Sequence, residues 1–150
     1  MYAKLKAFAN DFKQTPVDRS RMFAKIRSGG NRSTEWRLRG ALIRAGIRGW
    51  RVRPGDVPGK PDFFFEKECM AVFVDGCYWH GCPTCGHIPK KNSRFWREKF
   101  ALSKRRDRAV VLQLRRSRCG VVRIWEHELT ENVQSCLDKV VSARRKKSRQ

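Results

Sequence analysis

Apolar and polar positions along this chain follow two periods, and the switches between them mark out its elements. From Thr34 to Ala45 the apolar residues Leu38, Leu42 and Ala45 recur on one helical face. Glu35 sits in the first turn, where the helix dipole favours a carboxylate, and Ser33 or Thr34 can cap the start. Gly40 weakens this helix by about 1 kcal/mol relative to Ala and suggests a close packing contact. The period then drops to two. Trp50-Arg51-Val52-Arg53 alternates apolar and basic, while Asp62–Phe65 and Met70–Val74 read as a hairpin across Glu66-Lys67-Glu68-Cys69. Helical spacing returns after Asn92 or Ser93, either of which can cap a long helix carrying Phe95, Trp96, Phe100, Asp107, Val111 and Leu114 towards Arg118. Gly120 closes the connection to a strand at Val121–Trp125. Thr130 is the expected cap of a last helix with Val133, Cys136, Leu137, Val140 and Val141 on one stripe. The order helix, three strands, helix, strand, helix predicts an α/β or α+β fold with a central mixed sheet covered by helices. Residues 1 to about 32 show little periodicity and read as a loosely structured basic arm, and there are no internal repeats.

Composition changes this picture in one respect. Within 150 residues, enough for one domain with its own core, 35 Lys and Arg face 14 Asp and Glu, a formal charge of +21. Self-repulsion of that size opposes folding, so a polyanionic partner explains it better than a merely solvated surface does. A basic amphipathic helix with a broad apolar face, which would favour a membrane surface, is lacking, so nucleic acid is the expected partner. No apolar run approaches a bilayer span and no signal-peptide core follows the start, which predicts a soluble, cytoplasmic protein. In that compartment the six cysteines are expected to stay out of disulfides, and clustered ones to bind metal.

The cluster is in Asp75-Gly76-Cys77-Tyr78-Trp79-His80-Gly81-Cys82-Pro83-Thr84-Cys85. Zinc takes four thiolate or imidazole ligands in a tetrahedral shell. Cys77, Cys82 and Cys85 supply three from one loop, with His80, His87 or His127 as the fourth. The surrounding Gly, Pro and Thr argue against the alternative of small buried core thiols, which suits Cys69, Cys119 and Cys136. With its shell full, such a zinc is structural.

Two further groups carry candidate chemistry. Asp62, between a turn-rich lead-in and three phenylalanines, is either a turn cap or a ligand of a hard cation such as Mg²⁺, with Glu35 as a possible second carboxylate. His80 titrates near neutral pH and is either a metal ligand or a proton carrier. Tyr78, Trp79 and Trp96 are either core or stacking groups for bases.

Several spaced motifs resolve these alternatives together. Pro58-Gly59-Lys60-Pro61-Asp62-Phe63, Val72-Phe73-Val74-Asp75-Gly76-Cys77-Tyr78-Trp79-His80-Gly81-Cys82-Pro83, Pro89-Lys90-Lys91-Asn92 with Phe95-Trp96 and Lys99, Arg106-Asp107, and Ile124-Trp125-Glu126-His127 follow in order. Together with Arg19-Ser20-Arg21-Met22, Ile26-Arg27 and Glu35, this closely resembles the very-short-patch repair (Vsr) endonucleases, zinc-containing relatives of the restriction-endonuclease fold. The resemblance runs from about Arg19 to Leu137. It implies an endonuclease domain over residues 19–141, between a basic extension (1–18) and a basic tail (142–150). It further implies a monomer that nicks one strand of double-stranded DNA at T:G mismatches, or a site-specific or defence nickase of the same fold. A non-catalytic zinc module for DNA binding is the remaining reading. The resemblance implies that Asp62 and the Val74 backbone carbonyl hold Mg²⁺, that His80 is the acid/base residue, that Asp107 orients it or a bound water, and that Glu35 lies near the metal-bound waters. Zinc falls to Cys77, Cys82, Cys85 and His127, and Tyr78, Trp79 and Trp96 wedge into the duplex. The chain departs from the family where some members carry Thr-His in place of Val74-Asp75 and more histidine in the zinc loop.

Overall fold

The computed structural model describes residues 34–148. The readings made for the N-terminal arm, Ser33 included, lie outside them. A helix over residues 34–44 (α1) leads to strands β1 (Trp50–Val52), β2 (Phe63–Phe65) and β3 (Met70–Asp75). A cysteine-rich loop follows, then α2 (Ser93–Arg116), β4 (Gly120–Trp125), α3 (Glu126–Glu131) and α4 (Val133–Ser148). The sheet order is β1-β2-β3-β4, with the first two pairings antiparallel and β3–β4 parallel. The chain is therefore α/β with a mixed sheet flanked by helices, as the pattern predicts.

Alternation along the strands decides which helix covers which face. Phe63, Phe65, Val72, Val74 and Ile124 pack with Leu38 and Leu42 of α1, Leu129 of α3, and Leu137 and Val140 of α4. Phe64, Ala71, Phe73 and Val121 point the other way, against Val110 and Leu114 of α2. Because β2 and β3 are covered on both faces, they read as unbroken apolar runs rather than alternating ones.

Three local expectations need correction. The last helix begins after Asn132, whose side chain accepts the Ser135 N–H at 3.0 Å, whereas Thr130 lies inside α3. That six-residue helix was missed because Leu129 is its one buried residue, too little for a helical stripe. Gly40 faces no other element among the described residues; a Cβ there would meet only Arg44 of its own helix. Finally, Cys69 and Cys119 form a disulfide, against the expectation of reduced thiols. The register explains the pairing. Met70 stands opposite Gly120, so the residues just before β3 and β4 are brought side by side, and the Gly120 N–H donates to the Cys69 carbonyl at 2.7 Å.

Candidate active site and metal centre

The parallel pairing of β3 and β4 sets Asp75 opposite Trp125, so the loop after β3 and the first turn of α3 leave the sheet together. This brings Cys77, Cys82 and Cys85 to His127. Their ligand atoms all lie within 4.8 Å of one another, the one such convergence of three or more metal-binding side chains among the described residues. His127 Nδ1 is 3.2 Å from Cys77 Sγ and 3.6 Å from both Cys82 Sγ and Cys85 Sγ. A tetrahedral zinc, with bonds of about 2.3 Å to sulfur and about 2.0–2.1 Å to nitrogen, has S···N edges of about 3.6 Å, so the spacing and donor set fit that ion. His80 and His87 stand outside this group; the His87 ring faces Tyr78 at 5.8 Å.

Backbone contacts shape the loop. The Cys77 N–H donates to Glu126 Oε2 (3.2 Å), the Cys82 N–H to the Cys77 carbonyl (2.9 Å), and the Gly86 N–H to the Cys82 carbonyl (3.0 Å). A Cβ on Gly86 would come within 2.3 Å of that carbonyl oxygen, so the turn admits no side chain there. Burial raises the Cys82 thiol, but N–H groups of Cys85 and Thr84 and the neighbouring thiols outweigh it and lower it to about 7. Hydrogen bonding to Cys77, burial and the Cys82 thiol push Cys85 up to about 12. Of these two thiols, Cys82 is the more readily ionised.

The carboxylate site forms beside β3. Asp62, just before β2, accepts the Val74 N–H at 2.7 Å. Its side chain and that of Glu35 are each 13% exposed, and Arg53 lies between them, ion-paired to Glu35 and 3.6 Å from Asp62 Oδ1. Arg53 adopts a left-handed backbone (φ 43°) as it leaves β1. Burial chiefly raises the Asp62 pKa, and the charges of Glu35 and Asp75 add to it; the Val74 N–H and Arg53 pull the other way without prevailing. A carboxyl that is buried, crowded by like charge and incompletely neutralised is suited to a hard cation.

Further along, His80 Nδ1 is 2.9 Å from Asp107 Oδ2 on α2 and 3.7 Å from Asp75 Oδ1. Burial lowers the His80 pKa, yet the Asp107 hydrogen bond and the Asp75 and Asp107 charges outweigh it, and the net shift is upward. Asp107 is correspondingly lowered: burial raises it, and His80 and Arg123 more than compensate. Asp75 itself is buried, with Arg123 Nη2 at 2.8 Å from its Oδ1 and Nε bonded to its Oδ2.

The three expected wedge residues also come together. Tyr78 packs edge-on against Trp79 (5.0 Å between ring centres), Trp96 (5.3 Å) and Phe100 (5.7 Å). The Lys99 ammonium lies 5.4 Å from the Trp96 ring and 5.7 Å from that of Trp79. Two participants escaped the sequence reading, Arg53 and Arg123. In a chain so rich in arginine neither stands out, and the one available signal, a basic residue on an otherwise apolar strand, does not say which carboxylates it meets.

The comparisons with known proteins agree with this geometry. Residues 11–85 match the family model of the DNA mismatch endonuclease Vsr. The chain is 37% identical over 143 residues to the Type II nicking enzyme V.NaeI of Lentzea aerocolonigenes, covering 91% of this chain and 86% of that protein. It is 36% identical over 135 residues to the Type II nicking enzyme V.NmeDIP of Neisseria meningitidis serogroup C, covering 89% and 90%. With the DNA mismatch endonuclease Vsr of Escherichia coli K12 it shares 30% identity over 113 residues, 73% of this chain and 71% of that protein. The chain thus belongs to the Vsr endonuclease family and is a DNA endonuclease.

Proposed function

We propose that this protein is a Mg²⁺-dependent, zinc-stabilised endonuclease on a restriction-endonuclease-like frame, and that it nicks one strand of duplex DNA at T:G mismatches. The observation that carries the reading is that Asp62 and His80 stand against consecutive residues at the end of β3, Asp62 on the Val74 N–H and His80 3.7 Å from Asp75 Oδ1. Asp62 is tied to the Val74 amide, and His80 is held by Asp107 of α2.

Asp62 and the Val74 carbonyl would hold the cation, with Glu35 near its waters once Arg53 gives way. Bound there, Mg²⁺ supplies charge stabilisation for the attacking and leaving oxygens of the phosphodiester. The protein's own groups do the rest. Asp107, held ionised, can only accept a hydrogen bond, so His80 carries its proton on Nδ1 and leaves Nε2 to exchange one with the reacting oxygen. Tyr78, Trp79 and Trp96 form a pre-packed aromatic edge that would enter the stack beside a mispair, where unstacking costs less than at an intact pair. Cys77, Cys82, Cys85 and His127 would hold zinc and fix the loop that carries His80, Tyr78 and Trp79.

V.NaeI and V.NmeDIP are Type II nicking enzymes, and the second reading is a site-specific or defence nickase of the same fold without mismatch specificity. Nicking of T:G and matched duplexes of one sequence, in Mg²⁺ and in EDTA, separates the two. Preference for the T:G duplex, lost in EDTA, is expected; equal cleavage of both removes the mismatch role. Asp62→Ala should abolish nicking while leaving DNA binding. Absence of Mg²⁺-dependent nicking in the wild type would instead leave a DNA-binding module.

A further inference from the structure

His80 faces two carboxylates through a single ring nitrogen. Asp107 Oδ2 is 2.9 Å from Nδ1 and Asp75 Oδ1 is 3.7 Å from the same atom. A lone N–H cannot serve both well, and the direction of the ring depends on which one it chooses. Arg123 touches both contenders. Its Nη2 donates to Asp75 Oδ1 at 2.8 Å while its Nε bonds Asp75 Oδ2, and Nη2 also lies 3.2 Å from Asp107 Oδ2.

The fold makes this arrangement specific. Arg123 stands opposite Phe73 on the paired strand, so Arg123 and Asp75 are diagonal neighbours on the face turned towards α2. The guanidinium lies 5.5 Å from the centre of the Phe73 ring, which packs in the apolar cluster between this sheet face and α2. A cation on such a surface is costly unless its charge is matched, and here two carboxylates match it. Only a planar fork with donors on separate edges spans both; a lysine ammonium is a point charge.

We propose that Arg123 is a positioning residue for strand cleavage: it occupies both oxygens of Asp75 and steers Asp107, so that His80 has one partner and one orientation. The inference rests on the reading of His80 as the proton-transfer group. It assigns Asp75 a role where some relatives have histidine: here the carboxylate anchors the arginine rather than a cation.

The test uses the full-length, metal-loaded protein and single-turnover nicking of a T:G duplex. Arg123→Ala should slow nicking about 10- to 100-fold, less than the roughly 10²–10⁴-fold that a general acid or base itself contributes, while the Kd for DNA changes less than about threefold. Added guanidinium ion should restore part of the rate, and Arg123→Lys should fall between. Because Arg123 serves the Asp107–His80 pair, Arg123→Ala should cost less in the Asp107→Asn background than in the wild type. A role in packing alone predicts multiplying losses and no rescue by guanidinium. If Arg123→Ala fails to fold with Asp75 unpaired, Asp75→Asn with Arg123→Gln removes the buried charge together with its partner; Asp107 then loses its guanidinium while the rival carboxylate is neutral, so a smaller slowing is expected. A wild-type rate in either variant, or multiplying losses, overturns the proposal. His80→Ala separates the two levels: full activity there sinks the reading of His80 itself, whereas a dead His80→Ala beside a wild-type Arg123→Ala sinks only the positioning role.

Discussion

The His80–Asp107 pair offers a direct pH test at the scale of single residues. His80 is raised above its ordinary value of 6.5 despite burial, because its carboxylate neighbours favour the charged ring. A raised folded-state pKa means that the stabilisation is complete below about pH 6.5 and is lost as pH rises through the raised value. The melting-temperature difference between wild type and Asp107→Asn should therefore be largest near pH 6 and shrink towards pH 9. An NMR titration of the zinc-loaded protein should place the His80 midpoint above 6.5, and Asp107→Asn should bring it down because burial then acts with less opposition. A midpoint that does not move would mean that Asp107 does not control the ring. At this scale the sequence revealed the chemistry but not its wiring. Cys77, Cys82 and Cys85 were legible because three thiols crowd one loop, whereas spacing left His80, His87 and His127 open as the fourth ligand and only the family resemblance pointed to His127. Arg53 and Arg123 were not, because side-chain partners across a sheet depend on register, and no local pattern records it.

Among the elements, the segment from Arg53 to Pro61 positions Asp62, and one glycine governs its path. Gly59 has φ +77°, and a Cβ there would lie 2.4 Å from Val110 Cγ1 on α2 and 3.3 Å from the Phe73 ring. Gly59→Ala combines a disfavoured backbone with a steric clash and should cost about 2–4 kcal/mol in denaturant unfolding. The accompanying shift of Asp62 should lower nicking in whatever fraction stays folded. The cysteine loop has no strand or helix of its own, so removing its cation should act on structure first. Chelation, or Cys82→Ala, should lower the melting temperature and abolish metal uptake together; full metal content and an unchanged melt in Cys82→Ala would remove that residue from the ligand set. The hairpin, the long α2 and β4 could be read from the chain because each has a sustained period and a clear breaker. Short α3 could not, since one turn and a half around Leu129 leaves no period to detect.

For the molecule as a whole, a net charge of +21 makes DNA binding an ion-exchange process. Each phosphate neutralised adds about 0.9 to the slope of log K against log salt, so a slope steeper than about −4 is expected, equivalent to about five contacts or more. A shallow slope would show that the basic surface serves another purpose. Among the described residues no helix is long and apolar enough to cross a membrane. The parallel pair β3–β4 has a mechanical consequence. Cys69 and Cys119 join the two strands where they begin, and the thiol–imidazole group joins the segments that leave them where they end. Hydrogen bonds between parallel strands give way under shear, but a ladder bolted at both end rungs cannot slide. Stretched between its termini in a single-molecule experiment, this protein should resist as one unit with a metal bound by Cys77, Cys82, Cys85 and His127, and should yield at lower force, from the Asp75–Trp125 end first, once that metal is chelated.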